Sequence, residues 1–168
     1  MAVETDLVRE AFRKSFGGSD AARIYRAPGR VNLIGEHTDY NLGFVCPIAI
    51  HLACFVAVSP SSAGNALRVY SENVQEFREF PIDGLDALKP AGHWTDYVIG
   101  VAQQLLALGK KIRPVDLAIY STVPVGSGLS SSASLEVSSA LALLMDQAID
   151  RTELAKLAHL AEREFVGG

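Results

Sequence analysis

The sequence has little of several features that would mark a specialised class of protein. Its 168 residues include only two cysteines, Cys46 and Cys54, which share one apolar stretch and have no clustered histidine near them. This pattern supports neither a disulfide framework nor a zinc site, and it predicts that both cysteines are small core residues. Basic residues are not in excess, because the formal net charge is -4. The composition therefore argues against nucleic acid as a main partner.

Long apolar runs are also missing. Residues 1–16 carry charges throughout and lack the apolar core of a signal peptide, and no run approaches the length of a membrane span. With 49% hydrophobic and 20% charged residues, the composition is that of an ordinary globular domain that can bury one core. The sequence therefore predicts a soluble cytoplasmic protein with no membrane partner.

The hydrophobic periodicity changes along the chain. One short helix begins near Thr5, and strand-like segments follow at 43–59, 67–70 and 77–80. In the second half of the chain, apolar residues recur at helical spacing in three segments, and one predicted strand lies between the first and second of these segments. The predicted helices are 95–108, 131–147 and 152–165, and the predicted strand is 115–123. The helix that begins at Ser131 is apolar on nearly every side and should be buried. This order favours an α+β arrangement of layers.

A glycine- and serine-rich segment, residues 123–134, lies between the predicted strand and the buried helix. Gly126 and Gly128 allow positive φ angles and a close approach of the backbone to a ligand. The free N–H groups at the start of the next helix favour an anion such as a triphosphate, and residues 130–132 add hydroxyls that reach phosphate or magnesium. A flexible turn without a ligand is the alternative interpretation.

Two well-known patterns are missing from this glycine-serine segment. A Walker loop requires a lysine followed by serine or threonine, and the segment has no lysine. A nucleophile elbow requires Gly-x-Ser-x-Gly, whereas Ser127 lies directly between Gly126 and Gly128. The segment is therefore neither a Walker loop nor an esterase elbow.

A second polar segment, residues 26–41, is predicted to be a loop held by Pro28, Gly29 and Gly35. Its carboxylates and amides suit sugar hydroxyls, since each oxygen accepts a hydrogen bond from an OH group. Arg30 is suited to a transferred phosphoryl group or to keeping a nearby carboxylate ionised. A solvated polar turn is the alternative interpretation.

Together the two segments resemble the GHMP small-molecule kinases, and among them the galactokinases. Residues 29–41 resemble the galactokinase sugar signature, and residues 126–134 resemble the ATP-binding motif of the wider family. The segment 93–98 is similar to a Trp-centred segment near adenine, and 161–167 is similar to the helix end before the catalytic loop. The resemblance covers about residues 27–168. It implies one N-terminal GHMP kinase domain over residues 1–168, a mixed β-sheet with helices packed on one face.

The resemblance implies a role for each matched residue. Arg30 corresponds to the catalytic arginine beside the transferred phosphoryl group. The residues that match those holding the sugar hydroxyls are Glu36, His37 and Asp39. ATP and Mg²⁺ are the implied cofactors, with Ser131 and Glu162 as the metal ligands. The implied ATP-binding residues are Trp94, Gly126, Ser127, Gly128, Leu129, Ser130, Ser131 and Ser132. From the residues alone, Glu162 is equally a surface carboxylate in an ion pair, and Trp94 is a core anchor.

The reaction that the resemblance implies is transfer of the γ-phosphoryl group of ATP to the anomeric hydroxyl of galactose. The sequence departs from the family pattern near Gly168, because no Gly-Ile-Met-Asp type segment with the catalytic Asp and no C-terminal domain is found. We therefore expect a fragment without useful turnover that self-associates through uncovered faces, whereas the full-length protein is expected to be a monomer. A kinase for N-acetylgalactosamine or arabinose, and a non-catalytic galactose and ATP sensor on the same scaffold, stay open as alternatives.

Overall fold

The computed structural model describes residues 2–18, 22–35 and 42–167. Four consecutive strands follow the first helix, and most helices of the domain lie in its second half. In chain order they are α1 (Ala2–Phe16), β1 (Arg23–Asn32), β2 (Pro47–Pro60), β3 (Ala66–Ser71), β4 (Glu76–Pro81), α2 (Thr95–Ala107), β5 (Val115–Ser121), α3 (Ser131–Leu144) and α4 (Arg151–Leu160). A 3₁₀ turn at Leu85–Ala87 precedes α2, and a π-helical turn at Ala161–Val166 continues α4. None of the described helices is long and apolar enough to cross a membrane.

The strands form one mixed sheet. Their order is β1-β2-β5-β3-β4, and neighbouring strands are antiparallel except for the parallel pair of β3 and β5. The long strand β2 crosses the middle of the domain and is buried at every position from 53 to 58. A strand that is buried at consecutive positions needs cover on both of its faces. The mixed sheet that the sequence predicted is confirmed.

Helices cover both faces of this sheet. On one face Cys54, Val56 and Val58 pack with residues of α2, α3 and α4 in the main core. On the other face Phe55 packs with Phe12 of α1 in a smaller core. The expectation of helices on one face therefore holds for α2, α3 and α4 but not for α1, because the even and odd positions of β2 are both apolar.

Two expectations about the first third of the chain are wrong. Residues 26–32 belong to strand β1 rather than to the predicted loop. Pro28 is tolerated because β1 lies at the sheet edge and its register shifts between Pro28 and Arg30. Cys46 is exposed, since its backbone pairs with Leu33 and Ile34 and leaves the thiol outside. Cys54 is a buried core residue as predicted, and burial raises the pKa of its thiol to about 11.

Strand β1 contacts the glycine-serine segment at Gly29 and Arg30. The Arg30 N–H donates a hydrogen bond of 3.0 Å to the Leu129 carbonyl, which lies just before α3. Gly29 is buried against the same carbonyl oxygen, and a Cβ at this position would lie only 2.7 Å from it. The lack of a side chain at Gly29 therefore allows the two polar segments of the sequence to touch.

Helix α3 is buried, as predicted, and carries one ionisable side chain in the core. Glu136 is 0% exposed, and neither of its carboxylate oxygens has a hydrogen-bond partner among the described residues. Burial, followed by the charge of Glu162, raises the pKa of Glu136 to about 8. The side chain therefore holds a proton at neutral pH, because an unpaired charge at this depth is costly.

We expect Gly29→Ala to destabilise the domain by about 1–3 kcal/mol, as overpacking against backbone does. The added methyl group would meet the Leu129 oxygen at 2.7 Å and the Ile50 and Val123 side chains at 3.2 Å. Urea unfolding measures the effect. Gly18→Ala is the matched control, since no atom lies within 4 Å of its added Cβ. Equal unfolding midpoints for the two variants would contradict the contact.

We expect the stability of the ligand-free chain to fall as the pH rises from about 5 to about 8, on the order of 4 kcal/mol, because Glu136 holds its proton more tightly when folded. Glu136→Gln removes this titrating group, so the stability of the variant should change less with pH. At pH 8 the variant should be more stable than the wild type. Thermal unfolding of both proteins at several pH values between 5 and 8 measures the change in stability. The exposed Glu153→Gln is the control and should keep the wild-type slope.

Candidate active site

A cavity of about 650 Å³ opens at the N-terminal end of α3, within the range of small-molecule sites. Segments that are distant in sequence meet there: β1, the start of α2, the glycine-serine segment with the first turns of α3, and the π-helical turn. The lining residues are Arg30, Trp94, Tyr97, Val125, Gly126, Gly128, Ser130, Ser131, Ser132, Ala133, Leu135 and Glu162.

The backbone of the glycine-serine segment is left-handed at three positions on the cavity wall. Gly126 and Gly128 have φ angles of 71° and 74°, and Ser130 has a φ of 63°. No atom lies within 4 Å of a Cβ built on either glycine, so conformation rather than space favours glycine there. The side chain of Ser130, the N-cap of α3, makes no capping hydrogen bond. The first N–H groups of α3 are therefore available to an anion.

Arg30 lies between the glycine-serine segment and the sheet edge. It is half-buried and lines both the main cavity and a second cavity of about 270 Å³ between β1 and α3. No carboxylate or other acceptor among the described residues bonds to its guanidinium group. A half-buried cation with no acceptor in the described part of the chain is suited to an anionic ligand, since an arginine forms paired charge-assisted hydrogen bonds with phosphate.

Two residues in the cavity lining have side-chain oxygens that could bind a metal ion. The Ser131 hydroxyl lies at the start of α3, and the half-buried Glu162 begins the turn that follows α4. The described residues contain no group of three or more His, Cys, Asp or Glu that could enclose a metal ion. One hydroxyl and one carboxylate suit Mg²⁺, which commonly keeps water and substrate phosphates among its ligands.

Two residues near the cavity were not identified from the sequence. Tyr97 is half-buried and lines the cavity. Burial raises the pKa of Tyr97, and the carboxylates of Glu162 and Glu136 add to the effect. Glu136 is fully buried and follows Leu135, which lines the cavity. The available sign of this position was that Glu136, one turn after Ser132, is the one ionisable residue of α3.

The start of α2 is fixed by a buried aspartate. One carboxylate oxygen of Asp96 accepts hydrogen bonds from the backbone N–H groups of Ala91, Gly92 and His93, at 2.9, 2.7 and 3.2 Å. These bonds hold the turn that contains Trp94 at the cavity edge. Trp94 is half-buried: it packs against the main core and also lines the cavity.

The structure brings most of the residues expected at the site to one cavity. Those that line it are Arg30, Trp94, Gly126, Gly128, Ser130, Ser131, Ser132 and Glu162. Ser127 and Leu129 belong to the same segment but do not line the cavity, since the Ser127 hydroxyl donates to the Pro124 carbonyl and the Leu129 carbonyl accepts from Arg30. Glu36, His37 and Asp39 lie outside the described residues.

Two protein families match the chain. The galactokinase galactose-binding signature matches residues 10–60, and the GHMP kinases N terminal domain matches residues 96–168. Galactokinase from Chloroflexus aggregans is 45% identical over 98% of this chain, and galactokinase from Thermotoga maritima is 40% identical over 84% of it. The chain spans 42% and 39% of the lengths of these two relatives.

Solved structures show the same relationship. The structure of Lactococcus lactis galactokinase complexed with galactose matches 98% of this chain and 43% of that chain, with a TM-score of 0.88 and 34% identity. Methanococcus jannaschii mevalonate kinase matches 88% of this chain and 48% of that chain, with a TM-score of 0.78 and 19% identity, and so shares the fold. Nearly the whole chain is therefore similar to part of galactokinase, and its two matched segments are the galactokinase galactose-binding signature and the GHMP kinases N terminal domain.

Proposed function

We propose that this protein is a galactokinase, which transfers the γ-phosphoryl group of ATP to the anomeric hydroxyl of galactose. The observation that carries the proposal is one cavity that joins a left-handed glycine-serine segment, a helix N-terminus and Arg30, whose guanidinium bonds to no acceptor among the described residues. Strand β1, which contains Arg30, leads directly to residues 36–41. The strand that carries the proposed phosphate contact is thus adjacent in sequence to residues 36–41, which belong to the segment that resembles the sugar signature.

The triphosphate is proposed to lie against the N-terminus of α3. The backbone N–H groups after Gly128 and the hydroxyls of Ser130 and Ser132 would hold its oxygens, because the positive end of a helix and unpaired donors favour anions. Ser131 and Glu162 would hold Mg²⁺. The metal ion would neutralise negative charge on the phosphate oxygens during transfer.

Arg30 is proposed to lie beside the transferred phosphoryl group. Phosphoryl transfer depends mainly on positioning and on neutralisation of oxygen charge, and a guanidinium group supplies both through paired N–H donors. The hydrogen bond from its backbone N–H to Leu129 fixes the strand relative to the phosphate-binding segment. The glycine-serine segment therefore fixes the backbone from which the Arg30 side chain extends.

Galactose is proposed to bind through Glu36, His37 and Asp39. Carboxylates and an imidazole select a sugar by pairing with hydroxyls in one stereochemical arrangement, and an epimer leaves some of these groups unpaired. The Lactococcus lactis relative was solved with galactose. The cytoplasmic location and the monomeric state that the sequence indicates stay predictions.

Calorimetric titration of this chain with a panel of sugars tests the substrate. We expect saturable binding of galactose and binding of glucose weaker by about 10- to 100-fold, because the inverted hydroxyl would leave polar groups of the sugar site unpaired. N-acetylgalactosamine and arabinose are the comparison sugars. Tighter binding of either would assign the site to that sugar, and binding of no sugar by a chain shown to be folded would contradict the proposal.

Arg30→Ala tests the phosphate site. We expect affinity for MgATP to fall by about 10- to 100-fold, as the loss of charge-assisted hydrogen bonds predicts. Arg26→Ala is the matched control, since Arg26 lies on the same strand, outside the cavity, and donates to the His51 carbonyl. An equal loss in the two variants would mean that Arg30 acts through general charge or strand stability.

A further inference from the structure

The indole of Trp94 is held by a side chain of strand β4. One carboxylate oxygen of Glu76 accepts hydrogen bonds from Trp94 Nε1 at 2.8 Å and from His93 Nε2 at 2.9 Å. His93 Nδ1 lies 2.9 Å from the Thr95 hydroxyl, which can donate to it when Nε2 carries the proton. Two ring N–H donors therefore converge on one oxygen atom beside the cavity.

The negative charge of Glu76 favours the two hydrogen bonds that its carboxylate accepts. The hydrogen bond from Trp94, followed by that from His93, lowers the pKa of Glu76, and the Arg78 guanidinium lies 3.9 Å from its other oxygen. The carboxylate is therefore ionised at neutral pH. An ionised carboxylate accepts hydrogen bonds only, so it can serve both donors at once.

We propose that Glu76 is a positioning residue that holds Trp94 in the orientation in which it contacts the nucleotide base. This inference rests on the proposed function, in which ATP occupies the cavity that Trp94 lines. Glu76 does not line that cavity itself, so it would act through the indole. A tryptophan has few side-chain torsions, and a fixed N–H orients the ring before a ligand arrives.

Trp94 is the only tryptophan of the chain, so its fluorescence reports on this position alone. The experiment titrates the chain and its variants with MgATP and, separately, with magnesium tripolyphosphate, which lacks a base. We expect Glu76→Leu to weaken MgATP binding by about 2- to 10-fold, the cost of ordering one free side chain. Its emission should move to longer wavelength, and its affinity for tripolyphosphate should match the wild type.

Three further variants separate positioning from charge and from folding. Glu76→Gln keeps an oxygen that accepts both donors and should restore MgATP affinity. Glu79→Gln removes a charge from an exposed position of the same strand and should match the wild type. Trp94→Phe cannot donate to Glu76, so adding Glu76→Leu to it should cause no further loss by calorimetry.

The possible results distinguish failure of the positioning role of Glu76 from failure of the proposed function. Unchanged MgATP affinity and emission in Glu76→Leu would overturn the positioning role and leave the proposed function intact. Equal losses for MgATP and tripolyphosphate would also overturn it, because the effect would not involve the base. A wild-type chain that binds neither ligand would overturn both proposals. Should Glu76→Leu fail to fold by circular dichroism, Trp94→Phe alone is expected to lose MgATP affinity and to keep tripolyphosphate affinity.

Discussion

The hydrogen bond from the Arg30 N–H to the Leu129 carbonyl joins the two parts of the chain on which the site depends. It forms because Gly29 has no side chain, so the edge strand can approach the segment before α3 to a distance that a Cβ would prevent. The contact places the Arg30 guanidinium at the N-terminus of a helix that itself favours anions. Local backbone geometry thus sets the position of the cation relative to the proposed phosphate site.

Charges of both signs line the cavity. Arg30, which has no acceptor among the described residues, and the first N–H groups of α3 make their part of the lining attractive to phosphate, whereas Glu162 adds a negative charge to the lining. Glu136 stays protonated at neutral pH, which limits repulsion between its carboxyl group and that of Glu162. An arrangement of this kind favours a ligand that brings both negative phosphates and a cation, as magnesium-bound ATP does.

The sequence predicted the parts of this structure that local rules control. Helical and strand periodicities located α2, α3, β3, β4 and β5 to within a few residues, and the positive φ angles of Gly126 and Gly128 followed from glycine itself. Strand β1 was missed because proline and glycine usually end strands, and only pairing with β2 explains their presence. The cover of α1 on the second face, the hydrogen bonds of Trp94 to Glu76 and the burial of Glu136 all depend on contacts between distant residues, which periodicity does not report.

The most direct test follows the amide resonance of Arg30 by NMR, first by hydrogen exchange in the free chain and then during titration with galactose and with MgATP. If β1 and the glycine-serine segment form one site, this amide is protected from exchange before any ligand is added, and it shifts saturably with each of the two ligands. Fast exchange in the free chain, or a response to only one ligand, would contradict a site built on the contact between Arg30 and Leu129.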